Sequence, residues 1–290
     1  MIYYINNDLL TVGVSDKGAE IISVKSTDGC EYIWQGDKNY WAGQAPLMFP
    51  ICGRLFGGHY TYNEKEYEMN LHGFARHESF SLKEFEEDSI IFELKENEST
   101  LTQYPFPFTL TVAYRLCGNR LTGKITVSNS GEKLLPFAIG LHPGFNLPLN
   151  EGKFEDWYVE FTEPCYPDKI LLSDTCFVSG RREAFYLEDG RRLSLRHDLF
   201  DNDAIFLSRV SNELTLRSNT SERYVRFNFE GFPYLGFWHA PKTDAPYVCI
   251  EPWCGLPSFD GVIDDFAKKN DMFRLGSGET REAKYTLIFG

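Results

Sequence analysis

Residues 110–127 read Leu-Thr-Val-Ala-Tyr-Arg-Leu-Cys-Gly-Asn-Arg-Leu-Thr-Gly-Lys-Ile-Thr-Val, and this stretch decides the fold class. Apolar residues take alternate positions from Leu110 to Tyr114 and again from Leu121 to Val127, so each half has one apolar face. Gly118-Asn119 between the halves suits a two-residue hairpin turn. The stretch therefore predicts two antiparallel strands, each with one buried face.

Short segments of the same kind, separated by turn residues, recur along the chain. They are Leu9–Val14, Ala19–Ser26, Glu31–Trp34, Leu214–Leu216, Val225–Phe229 and Glu282–Phe289. Helical periodicity is scarce, and only Asn39–Gly43 and Asp260–Asn270 are expected to form one or two helical turns. Strands that recur every ~8 to 12 residues predict an all-β sandwich or barrel.

No repeat, low-complexity tract or linker divides the chain. Residues 1–290 are therefore predicted to form a single domain, with a split near Glu151-Gly152 as the alternative. No segment approaches the ~18 apolar residues of a membrane span, and the N-terminus does not resemble a signal peptide, so a cytoplasmic protein is expected.

Composition limits the partners. The formal charge of −13, without a basic cluster, argues against nucleic acid and anionic membranes. Seven cysteines without a CxxC pair argue against a disulfide framework and a cysteine-rich zinc site. No GxGxxG or Walker loop indicates a nucleotide cofactor. We therefore expect a small-molecule partner, no cofactor, and a monomer or homodimer.

Two apolar segments end on an ionisable residue that precedes proline. The first is Phe137-Ala-Ile-Gly-Leu-His142-Pro-Gly-Phe-Asn146-Leu, and the second is Tyr247-Val-Cys-Ile-Glu251-Pro-Trp253. Because proline cannot donate to a strand ladder, each strand is expected to stop there and to present its side chain. Desolvation is expected to raise the pKa of Glu251 and make it a better base. The structural alternatives are a histidine bonded to a neighbouring loop and a glutamate paired with an arginine.

Two loop segments also contain reactive side chains. Ala45–Arg54 has two prolines and a glycine that leave Arg54 on a shaped loop, although a surface arginine is the simpler explanation. Asn70-Leu-His72-Gly-Phe-Ala-Arg76-His77 contains a glycine that would let the backbone approach a ligand. Its two histidines are five residues apart, which is not a common metal-ligand spacing, so no metal site is predicted.

These segments, in this order, resemble the aldose 1-epimerase (galactose mutarotase) family. The most specific parts are Asn70-Leu-His72-Gly, His142-Pro-Gly-Phe-Asn146-Leu and Ile250-Glu251-Pro-Trp253, and the match is best to a divergent bacterial branch. The resemblance covers nearly the whole chain. It implies a large antiparallel β-sandwich, the galactose mutarotase-like supersandwich with only short helical turns. It also implies a cleft across one sheet and interconversion of the α and β anomers of a free hexose without a metal or nucleotide.

The resemblance also implies catalytic roles. His142 matches the general acid that protonates the ring oxygen, and Glu251 matches the base that deprotonates the C1 hydroxyl. His72 matches a second histidine that bonds the sugar. We expect the acid and the base to face each other across a gap wide enough for a pyranose, and the carboxylate to raise the pKa of the imidazole.

Substrate-binding roles follow in the same way. Arg54 matches a hydroxyl-binding arginine, and the hydroxyl-binding aspartate is Asp203 or, second, Asp201. Arg76 resembles a phosphate-binding arginine of the hexose-6-phosphate 1-epimerase branch. Four aromatic residues are candidates for stacking on the sugar, against the alternative that they are core residues. These are Trp238, Trp253, Phe74 and Phe145.

Three alternatives to a free-hexose epimerase stay open. Departures from better-known mutarotases, such as Gly144 in place of a tyrosine, lie around the substrate and leave the sugar undetermined. A hexose-6-phosphate 1-epimerase is one alternative, and a non-catalytic sugar-binding or sensing protein is another. A glycoside hydrolase would need two flanking carboxylates, which the histidine-rich set does not suggest.

Overall fold

The computed structural model describes residues 1–290, and most of the ordered segments are short strands. In chain order they are β1 Ile2–Asn6, β2 Leu10–Ser15, β3 Ile21–Ser26, β4 Leu47–Met48, β5 His59–Tyr62, β6 Lys65–Glu68, β7 Ser81–Phe85, β8 Ser89–Lys95, β9 Phe108–Cys117, β10 Arg120–Asn129, β11 Leu135–Phe137, β12 Gly140–Leu141, β13 Gly144–Asn146, β14 Trp157–Phe161, β15 Asp168–Leu172, β16 Val178–Ala184, β17 Arg192–Ser194, β18 Ile205–Ser208, β19 Glu213–Ser218, β20 Tyr224–Asn228, β21 Tyr234–Trp238, β22 Tyr247–Trp253, β23 Phe273–Leu275 and β24 Thr280–Phe289. One helix, α1 Glu98–Gln103, and four 3₁₀ turns complete the list, the turns being Phe56–Gly58, Ala75–His77, Phe154–Asp156 and His197–Phe200.

Two large sheets organise the chain. The nine-stranded sheet has the order β17-β14-β19-β20-β24-β10-β9-β8-β7. The eight-stranded sheet has the order β16-β15-β18-β21-β22-β12-β4, with β13 also paired to β22. Smaller sheets are β1-β2-β3, β11-β23 and β5-β6. The result is the expected all-β sandwich.

The hairpin predicted at residues 110–127 lies in the nine-stranded sheet. Its strands pair with Arg120 opposite Cys117, so Gly118-Asn119 is the two-residue turn. Alternate residues of both strands are buried, as their apolar positions predict. Burial of one face in each strand fixes the register, because a slip by one residue would expose that face.

The core lies between the two large sheets. Its largest cluster has 66 buried residues and includes Phe227 of the nine-stranded sheet and Ile250 of the eight-stranded sheet. The ring of Phe145 on β13 packs edge-on against Phe227, with 6.3 Å between centroids. All seven residues of β22 are buried, as expected for a central strand covered on both faces.

The central strand pairing sets the position of the two ionisable residues. Gly140 pairs with Trp253 and Gly144 pairs with Cys249. This register places His142, which lies between β12 and β13, directly opposite Glu251 of β22. The two side chains therefore project from neighbouring positions of the same sheet.

The prolines beside these residues do not end the strands as predicted. β12 ends at Leu141, one residue early, and the chain re-enters the sheet as β13, while β22 continues through Pro252. The amide of Ile250 donates to the Pro143 carbonyl. Amides two residues apart in a strand point to the same neighbouring strand, so the N–H that Pro252 lacks would also have pointed toward β12 and β13. Both prolines therefore remove ladder donors on either side of His142 and Glu251 without ending β22.

The helical expectations hold only as single turns. The amides of Trp41 and Lys269 donate to carbonyls four residues earlier, of Asp37 and Asp265, but neither Asn39–Gly43 nor Asp260–Asn270 forms a helix. The single α-helix, α1, is stabilised by an N-terminal capping box in which Asn97 and Thr100 exchange hydrogen bonds. No helix is long and apolar enough to cross a membrane.

Candidate active site

A cavity of about 280 Å³ opens on the eight-stranded sheet. This volume is close to the lower end of the range of about 300–1,000 Å³ for small-molecule sites. Eight of the predicted site residues line the cavity, whereas Asp201, Phe74 and Phe145 do not. The eight are Arg54, His72, Arg76, His142, Asp203, Trp238, Glu251 and Trp253.

His142 and Glu251 lie in direct contact at the wall of this cavity. Nε2 of His142 is 3.4 Å from Oε2 of Glu251, and the residues are 8% and 2% exposed. The expectation that they face each other across a sugar-sized gap was wrong. Their positions as cross-strand neighbours bring them together on one side of any ligand.

Burial controls the ionisation of this pair. It raises the pKa of Glu251 well above the usual value, as predicted, and the charge of Asp203 adds to the rise. Burial also lowers the pKa of His142 to about 3, with a smaller contribution from Arg76. The predicted rise in the His142 pKa was therefore wrong, because desolvation of the imidazolium outweighs the attraction of the carboxylate.

His72 lies beside the pair as a neutral hydrogen-bond donor. Its Nδ1 accepts a hydrogen bond from the amide of Gly53 at 3.1 Å, which leaves the proton on Nε2. Burial lowers the pKa of His72 well below its usual value. The His72 ring lies edge-on to the His142 ring, with 5.5 Å between centroids.

The backbone at His72 is held in an unusual conformation by its neighbours. His72 and Gly73 both have positive φ angles, of 65° and 73°. A Cβ atom at Gly73 would lie 2.2 Å from the Phe49 carbonyl oxygen. The close approach predicted for this glycine is therefore to the Phe49 backbone, and its effect is to direct the His72 ring into the cavity.

Two arginines contribute to the cavity wall. Arg54 is half-buried, and Nη1 donates a long 3.4 Å hydrogen bond to the Thr175 carbonyl. Arg76 is also half-buried, and Nε donates to Nε2 of His77 at 3.0 Å. These are the hydrogen bonds of the two guanidinium groups to the protein, so most of their donors are without a protein partner.

The structure separates the two candidate aspartates. Asp203 lines the cavity, whereas Asp201 is exposed outside it. Oδ1 of Asp203 accepts from the Ala204 amide at 2.9 Å, and Oδ2 accepts from the thiol of Cys176 at 2.8 Å. Cys176 also lines the cavity, and no motif marks it for this role.

The aromatic candidates divide between the cavity and the core. Trp238 and Trp253 line the cavity, whereas Phe74 and Phe145 are core residues, 3% and 0% exposed, which is the alternative stated for them. Trp41, which was not predicted, also lines the cavity, and its indole stacks on the imidazole of His142 with 4.8 Å between centroids. Trp41 lies on an irregular loop, so no periodic pattern marks it.

The buried group of His142, Cys249 and Glu251 is poorly suited to binding a divalent cation. Donor atoms of His142, Cys249 and Glu251 lie within 4.8 Å of one another. Burial raises the pKa of both the Cys249 thiol and the Glu251 carboxyl well above their usual values. Metal ligands must be deprotonated, so a cation would have to displace both of these protons.

Comparison with known proteins assigns the family. The model of the family described as aldose 1-epimerase matches residues 1–287. The chain belongs to the aldose 1-epimerase family. This membership makes the protein an enzyme of the isomerase class that acts on carbohydrates.

Several proteins align with most of this chain over most of their own length. Protein LacX (plasmid) of Lactococcus lactis subsp. lactis is 39% identical over 262 residues, which are 87% of each chain. A galactose mutarotase related enzyme from Lactobacillus acidophilus is 36% identical, with a TM-score of 0.94 over 100% of this chain and 97% of that one. A galactose mutarotase-like protein from Lactobacillus casei ATCC 334 is 31% identical, also with a TM-score of 0.94, over 100% of both chains. The predicted resemblance and fold class are confirmed.

Proposed function

We propose that the protein interconverts the α and β anomers of a free hexose by acid–base ring opening and reclosure, as a single domain. The observation that supports this most directly is the buried His142–Glu251 contact of 3.4 Å at a cavity of small-molecule size. The two oxygens that exchange protons in this reaction, the ring oxygen and O1, are both bonded to C1. A closely spaced acid and base therefore suits the chemistry.

The proton balance of the pair fits such a cycle. Ring opening begins with a proton on His142 and an ionised Glu251. His142 protonates the ring oxygen while Glu251 removes the proton from O1, which leaves a neutral imidazole and a protonated carboxyl group. Burial favours this neutral form. After rotation about C1–C2, the same transfers in reverse close the ring on its other face.

The other cavity residues supply binding. His72 donates from Nε2, Arg54 donates from its guanidinium and Asp203 accepts from sugar hydroxyls. Trp238 and Trp253 offer apolar surfaces to the faces of the pyranose. These roles require only hydrogen bonds and stacking, and the proposed cycle uses no cofactor.

The direct test is the rate of anomer interconversion. Crystalline α-D-glucose or α-D-galactose is dissolved with and without purified protein, and optical rotation is followed to equilibrium. We expect saturable acceleration with a bell-shaped pH dependence. Saturable sugar binding without acceleration would instead indicate a non-catalytic sugar-binding protein.

A sugar phosphate is the second candidate substrate, and the two arginines of the cavity favour it. Arg76 lies at the cavity wall close enough to lower the pKa values of His72 and His142. Its free guanidinium donors match the geometry that phosphate recognition uses. The acidic net charge opposes an anionic substrate, so the free hexose is the first choice.

Arg76→Ala separates these two candidates. If phosphate binds here, the variant is expected to lower kcat/KM for glucose 6-phosphate about 10-fold or more, because a charge-assisted hydrogen bond contributes about 1.5–3 kcal/mol. The value for glucose should stay within about threefold. Arg226→Ala, on the other large sheet, controls for loss of one positive charge. Equal values for glucose 6-phosphate in wild type and Arg76→Ala would rule out a phosphate role for Arg76.

Cys176→Ala is expected to raise KM about 2- to 5-fold with little change in kcat. The thiol donates to Oδ2 of Asp203, and because a thiol is a weak donor we take the lower half of the usual range of about 0.5–1.5 kcal/mol for its contribution. Cys176→Ser keeps a donor and should restore the wild-type KM. Cys117→Ala, at an exposed position of β9, is the matched control. An unchanged KM in Cys176→Ala would show that Asp203 does not depend on the thiol.

A further inference from the structure

The indole of Trp41 packs closely against two glycines next to His142. Its indole lies between two glycines: a Cβ at Gly43 would be 2.5 Å from Cζ2 of Trp41, and one at Gly144 would be 3.1 Å from Cζ3. One register with β22 runs from Gly140 to Gly144, so residues 142 and 144, two positions apart, point to the same face. A side chain at position 144 would therefore compete with the indole for the space over the imidazole.

The loop that carries Trp41 is tied to the sheet. The indole Nε1 of Trp34 donates to the Trp41 carbonyl at 2.8 Å, and the amide of Gly144 donates to the Gln44 carbonyl at 2.8 Å. The Trp41 ring also meets Trp238 edge-on, with 5.6 Å between centroids. These contacts fix the indole before any ligand binds.

The stacking geometry suits a cation on His142. The indole and imidazole planes are inclined by only 24°, with 4.8 Å between centroids. The face of an aromatic ring attracts a cation within about 6 Å of its centroid. Trp238 approaches the same imidazole at 81° and 5.7 Å, so it does not stack on it.

The other groups that face His142 divide by charge. Glu251 on β22 favours the imidazolium when ionised, and Arg76 disfavours it. His72 and Cys249 are held neutral by burial. Apart from Glu251, the stacked indole is therefore the contact best placed to offset the desolvation of a protonated His142.

We propose that Trp41 is a positioning residue of the acid–base pair, holding the His142 imidazole against Glu251 and stabilising its protonated form. The inference rests on the proposed function for its catalytic consequence, although the effect on His142 itself does not depend on the substrate. A stacked, partly desolvated cation–π contact is worth about 0.5–2 kcal/mol, which corresponds to a shift of about 0.4–1.5 pH units.

The test compares Trp41→Leu, Trp41→Phe and wild type. Burial leaves the shared proton mainly on Glu251, so the alkaline limb of the kcat–pH profile follows Glu251, and a lower His142 pKa reduces the active fraction at every pH. We therefore expect Trp41→Leu to lower kcat about 2.5- to 30-fold with an unmoved limb, and Trp41→Phe, which keeps an aromatic face, to lower it less. Tyr186→Leu, at an exposed aromatic residue outside the cavity, is the control and should keep the wild-type kcat. An unchanged kcat in Trp41→Leu would overturn the proposal.

A second measurement reads His142 directly and does not depend on enzymatic activity. The imidazole of His142 is titrated by NMR in wild type, in Trp41→Phe and in Gly144→Ala, whose added methyl group should push on the indole. We expect the midpoint to fall in both variants. A shifted midpoint in a protein without epimerase activity would support the stacking role while refuting the proposed function. Unmoved midpoints would overturn the role of Trp41 whatever the activity.

Discussion

Glu251→Gln is expected to lower kcat for anomer interconversion by about 10²- to 10⁴-fold, the usual contribution of a positioned acid or base. Glutamine keeps the shape of the side chain but cannot take the proton from O1. His142→Asn should cause a loss of the same order. Because the acid and the base act in the same step, the kcat of the double variant should be little lower than that of either single variant.

The measurement is the initial rate of optical rotation change at saturating sugar, with circular dichroism to verify folding. Glu84→Gln is the matched control, because Glu84 is exposed on the edge strand β7 and lies outside the cavity. Its kcat should equal that of wild type. Full activity in either Glu251→Gln or His142→Asn would show that proton transfer in this protein uses other groups.

Alternation of apolar and polar residues predicted those strands that bury only one face. In residues 110–127 the alternation and the two-residue turn together fix the register, and the structure has both. β22 is buried on both faces, so its sequence lacks alternation and its end depends on neighbours. Its continuation through Pro252 follows from the interrupted partner strand, which no local rule describes.

The site was predictable to the extent that its chemistry lies in short motifs. His142, Glu251 and His72 stand beside proline or glycine, and these neighbours marked them. The direct contact of His142 with Glu251 is a long-range strand pairing, and one residue of slip would separate them. Trp41 was missed because its place depends on an irregular loop, with Gly43 two residues away, and on the gap at Gly144, which is distant along the chain. Phe74 and Phe145 follow the alternative stated for them, that aromatic residues near strand ends belong to the core.

Burial of the pair also predicts that Glu251→Gln and His142→Asn change the pH dependence of the free energy of unfolding in opposite directions. The folded-state pKa of Glu251 lies above its unfolded value, so the folded state binds more protons between these two values. This contribution to the free energy of unfolding is present below about pH 4.5 and is lost as pH rises. The folded-state pKa of His142, about 3, lies below its unfolded value, so its contribution increases with pH up to about 6.5.

In wild type the two slopes oppose each other between about pH 4.5 and 6.5. Relative to wild type, Glu251→Gln should therefore gain stability as pH rises through this window, and His142→Asn should lose it. A single titrating group changes the free energy of unfolding by at most about 1.4 kcal/mol per pH unit, so the change in each variant across the window is at most about 2.7 kcal/mol. Urea unfolding at pH 4.5, 5.5 and 6.5 measures these differences, and wild type accounts for all other titrating groups. Parallel pH profiles for the three proteins would mean that neither group is desolvated in the folded state, which would also remove the electrostatic basis for their pairing.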